Sequence, residues 1–367
     1  MMSENHAKKT YRFDFALITL TGNLTRYQTI RPIVERDRTV KSRWFPIRTW
    51  YAEDWLKFLP GALRLRLRHL LDTWKLYLPS RADATLIHAF ETYYLYVIAQ
   101  RLMRRKVAIV TNPDGNVPSS ARQGLLGQGK FRFAVKHTDV FIFNSEFCRE
   151  QSKQIYPDIP DDRIHVFHHG IDLSQWTLRT PPERGERFQL LFVGGDLLRK
   201  GADTLLDAFE RGLSETCHLH LATQSDYLPP DLKTRIESNP HITLHLDVPG
   251  GSEEIRRLFR EADAFVLPTN SDWSPWVSIE ALATGIPTII TPVGGIRDIV
   301  IDGVTGLIIP PKDPQAIIDA VNRLRQDETL AAKLVRQGRA HIEANFDAER
   351  NTARILDLMR EAAERKK

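Results

Sequence analysis

The chain has 367 residues, enough for two domains that each bury a core, and its 42% hydrophobic and 26% charged residues are those of a soluble globular protein. The net charge of +5 is unevenly spread: residues 1–180 hold 28 Lys and Arg against 17 Asp and Glu, hence +11, and the rest hold 23 against 29, hence −6. A membrane-spanning chain is excluded, because no apolar run approaches the ~18–20 residues needed to cross a bilayer. The start, Met-Met-Ser-Glu-Asn-His-Ala-Lys-Lys, lacks the apolar core of an export signal. Cys148 and Cys217 fall in different halves and read as buried thiols in a reducing cytoplasm rather than as a disulfide.

In chain order, residues 14–19 predict a strand that ends in a loop at Gly22, where glycine lets the backbone approach a phosphate closely. Segment 61–77 places Leu63, Leu67, Leu70, Leu71 and Trp74 at helical spacing with Arg64, Arg68 and Lys75 off that stripe. Such a stripe fits a core-facing helix or peripheral contact with an anionic membrane face, and both stay open. Strands are predicted over 85–87, 107–110 and 140–143, and helices over 92–103 and 147–155. His88 follows the first of these strands, on the side where α/β proteins bind ligands, as either a structural or a functional histidine. Asn112-Pro-Asp-Gly follows the next strand and brings Asn112 and Asp114 to the same side. Thr180-Pro-Pro-Glu-Arg-Gly185 is the best linker.

From residue 188 the β and α runs alternate more cleanly, with strands over 188–193, 217–221, 242–246, 264–267, 286–290 and 307–309. Helices are predicted over 202–213, 252–262, 277–284 and 315–325, the last capped by Asp313 with Pro314 at its first position, and a final helix over 348–364. The alternation implies parallel sheets covered on both faces. Val193-Gly-Gly-Asp-Leu-Leu-Arg-Lys-Gly-Ala202 joins a strand to a helix; its glycines admit a phosphate, and Arg199 and Lys200 can neutralise a diphosphate.

Asp272-Trp-Ser-Pro-Trp-Val-Ser-Ile-Glu280 follows another strand and opens a helix, whose first amides, at Trp276, Val277 and Ser278, can point at an anion. Glu280, inside that helix, suits a sugar or ribose diol, which a carboxylate accepts as charge-assisted hydrogen bonds. Phosphate on the amides and a diol on the acid describe a nucleotide sugar.

The residues that follow carry a resemblance. Ala281-Leu-Ala-Thr-Gly-Ile-Pro-Thr-Ile-Ile-Thr-Pro-Val-Gly-Gly-Ile-Arg-Asp-Ile-Val-Ile-Asp-Gly-Val-Thr-Gly-Leu-Ile-Ile-Pro310, with the acids before it, resembles the donor half of retaining GT-B glycosyltransferases of the family-4 type. There two glutamates eight positions apart precede a helix, Gly-x-Pro, a buried strand, Gly-Gly and Asp-Gly-x-x-Gly. The resemblance spans about 189–346 and implies two Rossmann-like domains with parallel sheets facing across a cleft. Domain limits of 1–182 and 187–345 follow, with 346–367 as a helix crossing back to the first.

The implied activity is transfer of a sugar from a nucleoside diphosphate sugar to a sugar, lipid-linked or other hydroxyl acceptor, with retention. The resemblance implies that Glu280 meets the ribose and Asp272 the sugar ring; relatives often carry a histidine where His88 stands, and many place another in the next loop to touch the donor sugar, where this chain offers Asn112 and Asp114 as candidates instead. Asp272 replaces the usual glutamate and is shorter by one methylene. No two aspartates lie two positions apart, so the D-x-D that holds a divalent ion in many other glycosyltransferases is absent and no metal is expected; no other cofactor and no nucleic-acid partner are expected either. His218, His220, His241 and His245 read as polar strand-face residues. An epimerase acting on the same donor, or a degenerate homologue that only binds it, is the alternative.

Overall fold

The computed structural model describes residues 9–18, 21–47, 81–88, 90–103, 105–112, 129, 132–180 and 185–367. Short apolar strands separated by helices cannot pair as hairpins, so they align in parallel with the helices as crossovers. Two units result, one of residues 1–170 with 348–367 and one of residues 171–347.

The first unit contains β1 (Tyr11–Ile18), α1 (Thr21–Arg36), β2 (Val40–Ile47), β3 (Ala84–Ile87), α2 (Phe90–Leu102), β4 (Ala108–Thr111), β5 (Val140–Phe143), α3 (Glu146–Ile155) and β6 (Ile164–Val166). Its sheet is parallel, in the order β2-β1-β3-β4-β5-β6. Strands β3, β4 and β5 are buried throughout, as strands covered on both faces must be. One face packs Tyr96 and Val97 of α2 against Ala16, Ile87 and Ile109, and the Tyr96 and Thr85 hydroxyls share a 2.7 Å hydrogen bond. Gly22, expected in a loop, lies instead in the first turn of α1. A helix start tolerates glycine far better than a helix interior does, so the residue ends nothing here.

The second unit repeats the plan with β7 (Phe188–Val193), α4 (Ala202–Ala208), β8 (Cys217–Thr223), α5 (Pro230–Ser238), β9 (Ile242–Leu246), α6 (Glu253–Glu261), β10 (Ala264–Leu267), α7 (Trp276–Thr284), β11 (Thr288–Ile290), β12 (Leu307–Ile308), α8 (Pro314–Gln326) and α9 (Glu328–Asn345). Its parallel sheet has the order β12-β11-β10-β7-β8-β9. From β7 the chain moves outward through β8 and β9, then returns to β10 and moves out the other way. The strand order therefore reverses between β7 and β10, and a crevice opens beyond their carboxyl ends, where ligands bind in such sheets. Asp313 caps α8 by accepting from the Ala316 amide at 3.0 Å, and Asp327 caps α9 by accepting from the Leu330 amide at 2.8 Å. The second cap starts a new helix where α8 stops.

The chain passes from the first unit to the second at Gly170–Ile171, ahead of the Pro-rich stretch at 180–185, because 171–179 pack into the second unit. The Ile171 amide donates to the Phe346 carbonyl at 2.7 Å, and Trp176 stands edge-on to Phe259 with ring centroids 5.4 Å apart. The return is at Asp347, which pairs with Ile171 in a short parallel bridge. Helix α10 (Ala348–Glu364) then covers the remaining face of the first sheet, where Ile355, Leu356 and Met359 meet Phe13, Phe15 and Val34. Among the described residues no helix is long and apolar enough to cross a membrane. Segment 61–77 and Asp114 lie outside the described residues.

On β8 and β9 one sheet face carries a histidine ladder. His220 shares 3.1 Å and 3.0 Å hydrogen bonds with His245 and Gln189, and His218 one of 2.8 Å with Thr243. Burial pushes His220 down to about 4, with repulsion from His218, His245 and Arg257, and it lowers His218 and His245 too, while Glu254 opposes the shift at His245. A histidine that the fold keeps neutral contributes stability above its unfolded value near 6.5, and that contribution is lost as pH falls toward 4. His220 is partly exposed, so the expected loss is discounted to about 1–2 kcal/mol. Urea midpoints at pH 7 and pH 5 should diverge less for His220→Gln than for wild type; equal slopes would remove His220 from the acid response.

Candidate active site at the carboxyl ends of β7 and β10

Two loops meet at the crevice backbone to backbone. The β7–α4 loop turns at Gly201, whose φ of 76° is left-handed and whose added Cβ would sit 2.0 Å from the Pro268 carbonyl oxygen. Only glycine allows that approach. Hydrogen bonds lock the contact. The Asn270 amide donates to the Arg199 carbonyl at 2.8 Å, the Asn270 side chain to the Leu198 carbonyl at 3.0 Å, and the Arg199 guanidinium to the Ser271 carbonyl at 2.8 Å. Gly195 is held from the far side, its carbonyl accepting from Thr223 at 3.0 Å.

Lys200, largely buried, directs its ammonium onto the Asp272 carboxylate, and the Arg199 guanidinium lies 3.9 Å from the same oxygen. Residues that the sequence assigns to different parts of a ligand are thus in contact with one another. Asp272 is fixed in turn, because its other oxygen accepts from the Trp273 amide at 3.0 Å. The β11 side closes the turn: Gly295 donates to the Trp273 carbonyl at 3.0 Å, and Gly294, at φ 59°, leaves only 1.7 Å between an added Cβ and the Asp272 carbonyl oxygen.

Helix α7 begins at Trp276 behind Pro275, which supplies no side-chain cap. The Ser278 amide turns back to the Pro275 carbonyl at 3.1 Å, and a helix start otherwise leaves its first amides to be met by something outside the helix. The Ser278 hydroxyl is fully buried and has no hydrogen-bond partner among the described residues. Glu280, in the second turn, is buried as well; burial pushes its carboxyl up to about 8, and the Arg256 guanidinium opposes the shift. Residues 278–284 are all buried, the pattern of a helix enclosed on every side. At the other end Gly285, at φ 79°, terminates α7. There the Arg179 amide donates to the Thr284 carbonyl at 2.9 Å, the Arg179 side chain to the Gly285 carbonyl at 3.1 Å, and Arg339 to the Ala283 carbonyl.

The structure therefore brings Arg199, Lys200 and Asp272 into contact, and helix α7, which carries Trp276, Val277, Ser278 and Glu280, begins four residues after Asp272. In the first unit His88 is buried at the end of β3, its amide donating to the Ala16 carbonyl at 2.8 Å. Asn112 is buried after β4, with its side-chain amide on the Ile142 carbonyl at 2.7 Å, a fold-holding bond. Three further residues carried no motif. Arg256 faces Glu280 in charge. Asp247 has φ 58° and accepts from the Ser225 amide at 2.9 Å, and Tyr227 would lie 3.6 Å from a Cβ on Gly195. A left-handed aspartate gives no signal in sequence because its side chain is bonded to the loop after the neighbouring strand, 22 residues away. Two cavities, of about 390 Å³ beside Arg12, Asp14 and Arg43 and about 470 Å³ beside Arg179, Phe188 and Pro287, lie near strand starts rather than at this crevice.

Comparison with known proteins bears on the two halves of the chain. The family model "Glycosyl transferases group 1" matches residues 187–327, and "Glycosyltransferase Family 4" matches residues 21–175. A D-inositol 3-phosphate glycosyltransferase of Xylanimonas cellulosilytica is 30% identical over 228 residues, covering 56% of this chain and 53% of that protein. A glycogen synthase of Mycobacterium tuberculosis is 29% identical over 221 residues, covering 58% and 52%. The chain thus spans about half the length of these relatives. In fold it is similar to the sucrose-phosphate synthase of Thermosynechococcus elongatus, with TM-score 0.72, 18% identity and coverage of 96% of this chain and 99% of that one. It is also similar to Anabaena Alr3699/HepE in complex with UDP, with TM-score 0.70, 16% identity and coverage of 96% and 100%. With its two parallel six-stranded sheets and these neighbours, the chain has the GT-B fold, and it matches the Glycosyltransferase Family 4 model in its first half and the group 1 model in its second.

Proposed function

We propose that the protein transfers a sugar from a nucleoside diphosphate sugar to an acceptor hydroxyl, with retention at the anomeric carbon and without a divalent ion. The observation that carries the proposal is one segment with two kinds of acid: Asp272, in contact with Lys200 and 3.9 Å from Arg199, and eight residues on Glu280, buried in a helix that starts with no side-chain cap. A diphosphate needs cations and amides, and a ribose diol needs a carboxylate; this crevice offers both. In the transfer step the sugar–phosphate bond breaks and negative charge grows on the departing diphosphate. Lys200, Arg199 and the α7 amides stabilise that charge where it develops, and preorganised groups do so without reorganising during the reaction. The complexes of the similar Anabaena protein with UDP and with UDP-glucose support a nucleotide sugar as the donor class. Retention rests on the family resemblance.

The test combines a donor panel with one substitution. Incubation with uridine, guanosine, adenosine and thymidine diphosphate sugars should release nucleoside diphosphate when an acceptor is present and at most slowly without one. Conversion of the donor alone would indicate an epimerase, and an untouched donor a binding protein. Lys200→Ala should weaken the preferred nucleoside diphosphate by about 10- to 100-fold, the loss of one charge-assisted contact of ~1.5–3 kcal/mol, and leave the bare nucleoside unaffected. Equal losses for nucleoside and diphosphate would place Lys200 away from the phosphates.

A further inference from the structure

Asp272 commits both carboxylate oxygens to its own unit. One pairs with the Lys200 ammonium, with Arg199 3.9 Å away, and the other accepts from the Trp273 amide at 3.0 Å. The Lys200 and Asp272 side chains are each only 11% exposed, so each charge depends on the other for compensation. Arg199 has a second acid, Asp196, at 3.4 Å. Two cations thus face two carboxylates, and a diphosphate can take Lys200 only in competition with Asp272.

From these contacts we infer that Asp272 is the resident counter-ion of Lys200, a positioning residue that fixes the ammonium and limits how tightly the diphosphate is held. The inference rests on the donor site proposed above and replaces the sugar contact that the resemblance implies for Asp272. Reach supports it. Aspartate is one methylene shorter than the glutamate usual at this place, and its backbone cannot advance, because Gly294 packs against the Asp272 carbonyl and the Trp273 amide holds the carboxylate. Chemistry supports it too. Once the sugar has left, the diphosphate carries more charge than it brought, and two uncompensated cations would bind that product most strongly. A carboxylate on Lys200 offsets this attraction and favours release, the slow step in many well-evolved enzymes.

Asp272→Asn isolates the charge, since the amide oxygen can still accept from Trp273. Calorimetric titration with uridine, guanosine, adenosine and thymidine diphosphates, and with the four nucleosides, measures the effect. The variant should bind the preferred diphosphate about tenfold more tightly than wild type, with nucleoside affinity unchanged within about twofold. Its melting temperature without added nucleotide should fall, because Lys200 loses its partner. With Lys200→Ala already in place, the gain from Asp272→Asn should shrink to about twofold or less, a coupling that a merely structural role would not produce. Asp272→Ser carries the same expectations if the asparagine variant does not fold. Unchanged or weaker diphosphate binding in a folded Asp272 variant overturns the counter-ion role while leaving the donor site standing. Failure of the wild type to bind any of the four diphosphates overturns the donor site and the inference with it.

Discussion

Glu280→Gln should yield a more stable protein that binds nucleoside diphosphate about 10- to 100-fold more weakly. The stability gain follows from a carboxyl that burial holds at about 8 against 4.5 in the unfolded chain. Below pH 4.5 both states keep the proton and the burial costs nothing in charge. Between these values the unfolded chain ionises first, so stability declines as pH rises, and above about 8 the whole cost is present. Glutamine does not titrate. Its advantage should therefore grow from pH 5 to pH 8 by something on the order of 3 kcal/mol, as urea unfolding would read. The binding loss follows from replacing a charged acceptor of ribose hydroxyls by a neutral one, ~1.5–3 kcal/mol. A diol that donates to the carboxylate also favours its ionised form, so wild-type affinity should rise with pH through neutrality while that of the variant stays level. A pH-independent stability difference would contradict the burial argument, and equal affinities would contradict the ribose contact.

Gly294→Ala should be the most damaging single methyl in the second unit. Its backbone is left-handed at φ 59°, and the new Cβ would meet the Asp272 carbonyl oxygen at 1.7 Å, so the turn carrying Asp272 and Trp273 must move. Steric displacement on top of backbone strain should cost about 3 kcal/mol or more and reduce nucleotide affinity at least about tenfold. Gly303 provides the control. Its φ of 66° carries the same strain, but nothing lies within 4 Å of its added Cβ, so Gly303→Ala should cost only about 1 kcal/mol. Thermal melts of the two variants compare the terms directly; similar losses would mean that strain alone, not the contact with Asp272, makes Gly294 necessary.

Most of the second unit was legible because its strands are continuous apolar runs or, at β8 and β9, alternate with period two, and its helices begin at readable caps, as at Asp313 and Ser252. The first unit was less so. Strand β2 includes Lys41, Arg43 and Pro46, and β6 is three residues long, so neither shows the alternation that identifies a strand. Helix α1 contains Pro32, an ordinary breaker. At the crevice, residue types were legible and pairings were not. Lys200 and Asp272 lie 72 positions apart, and their contact depends on Gly201 fitting under the Pro268 carbonyl, a backbone event with no periodicity. Glu280 could be read as a ligand for a diol, whereas its complete burial depends on the apolar surround that encloses α7.

The far end of α7 gives that helix a further meaning. Nine residues make a rod about 13.5 Å long, clamped at its carboxyl end by Arg179 and Arg339 on three successive carbonyls. A tilt of about 5° at the clamp would swing the amides at the tip by about 1 Å, the scale on which reactive alignment is lost. Both arginines also place positive charge where the macrodipole is negative. The aim of the helix is therefore set at its mount, and two residues that touch no ligand are held to the tolerance of the chemistry.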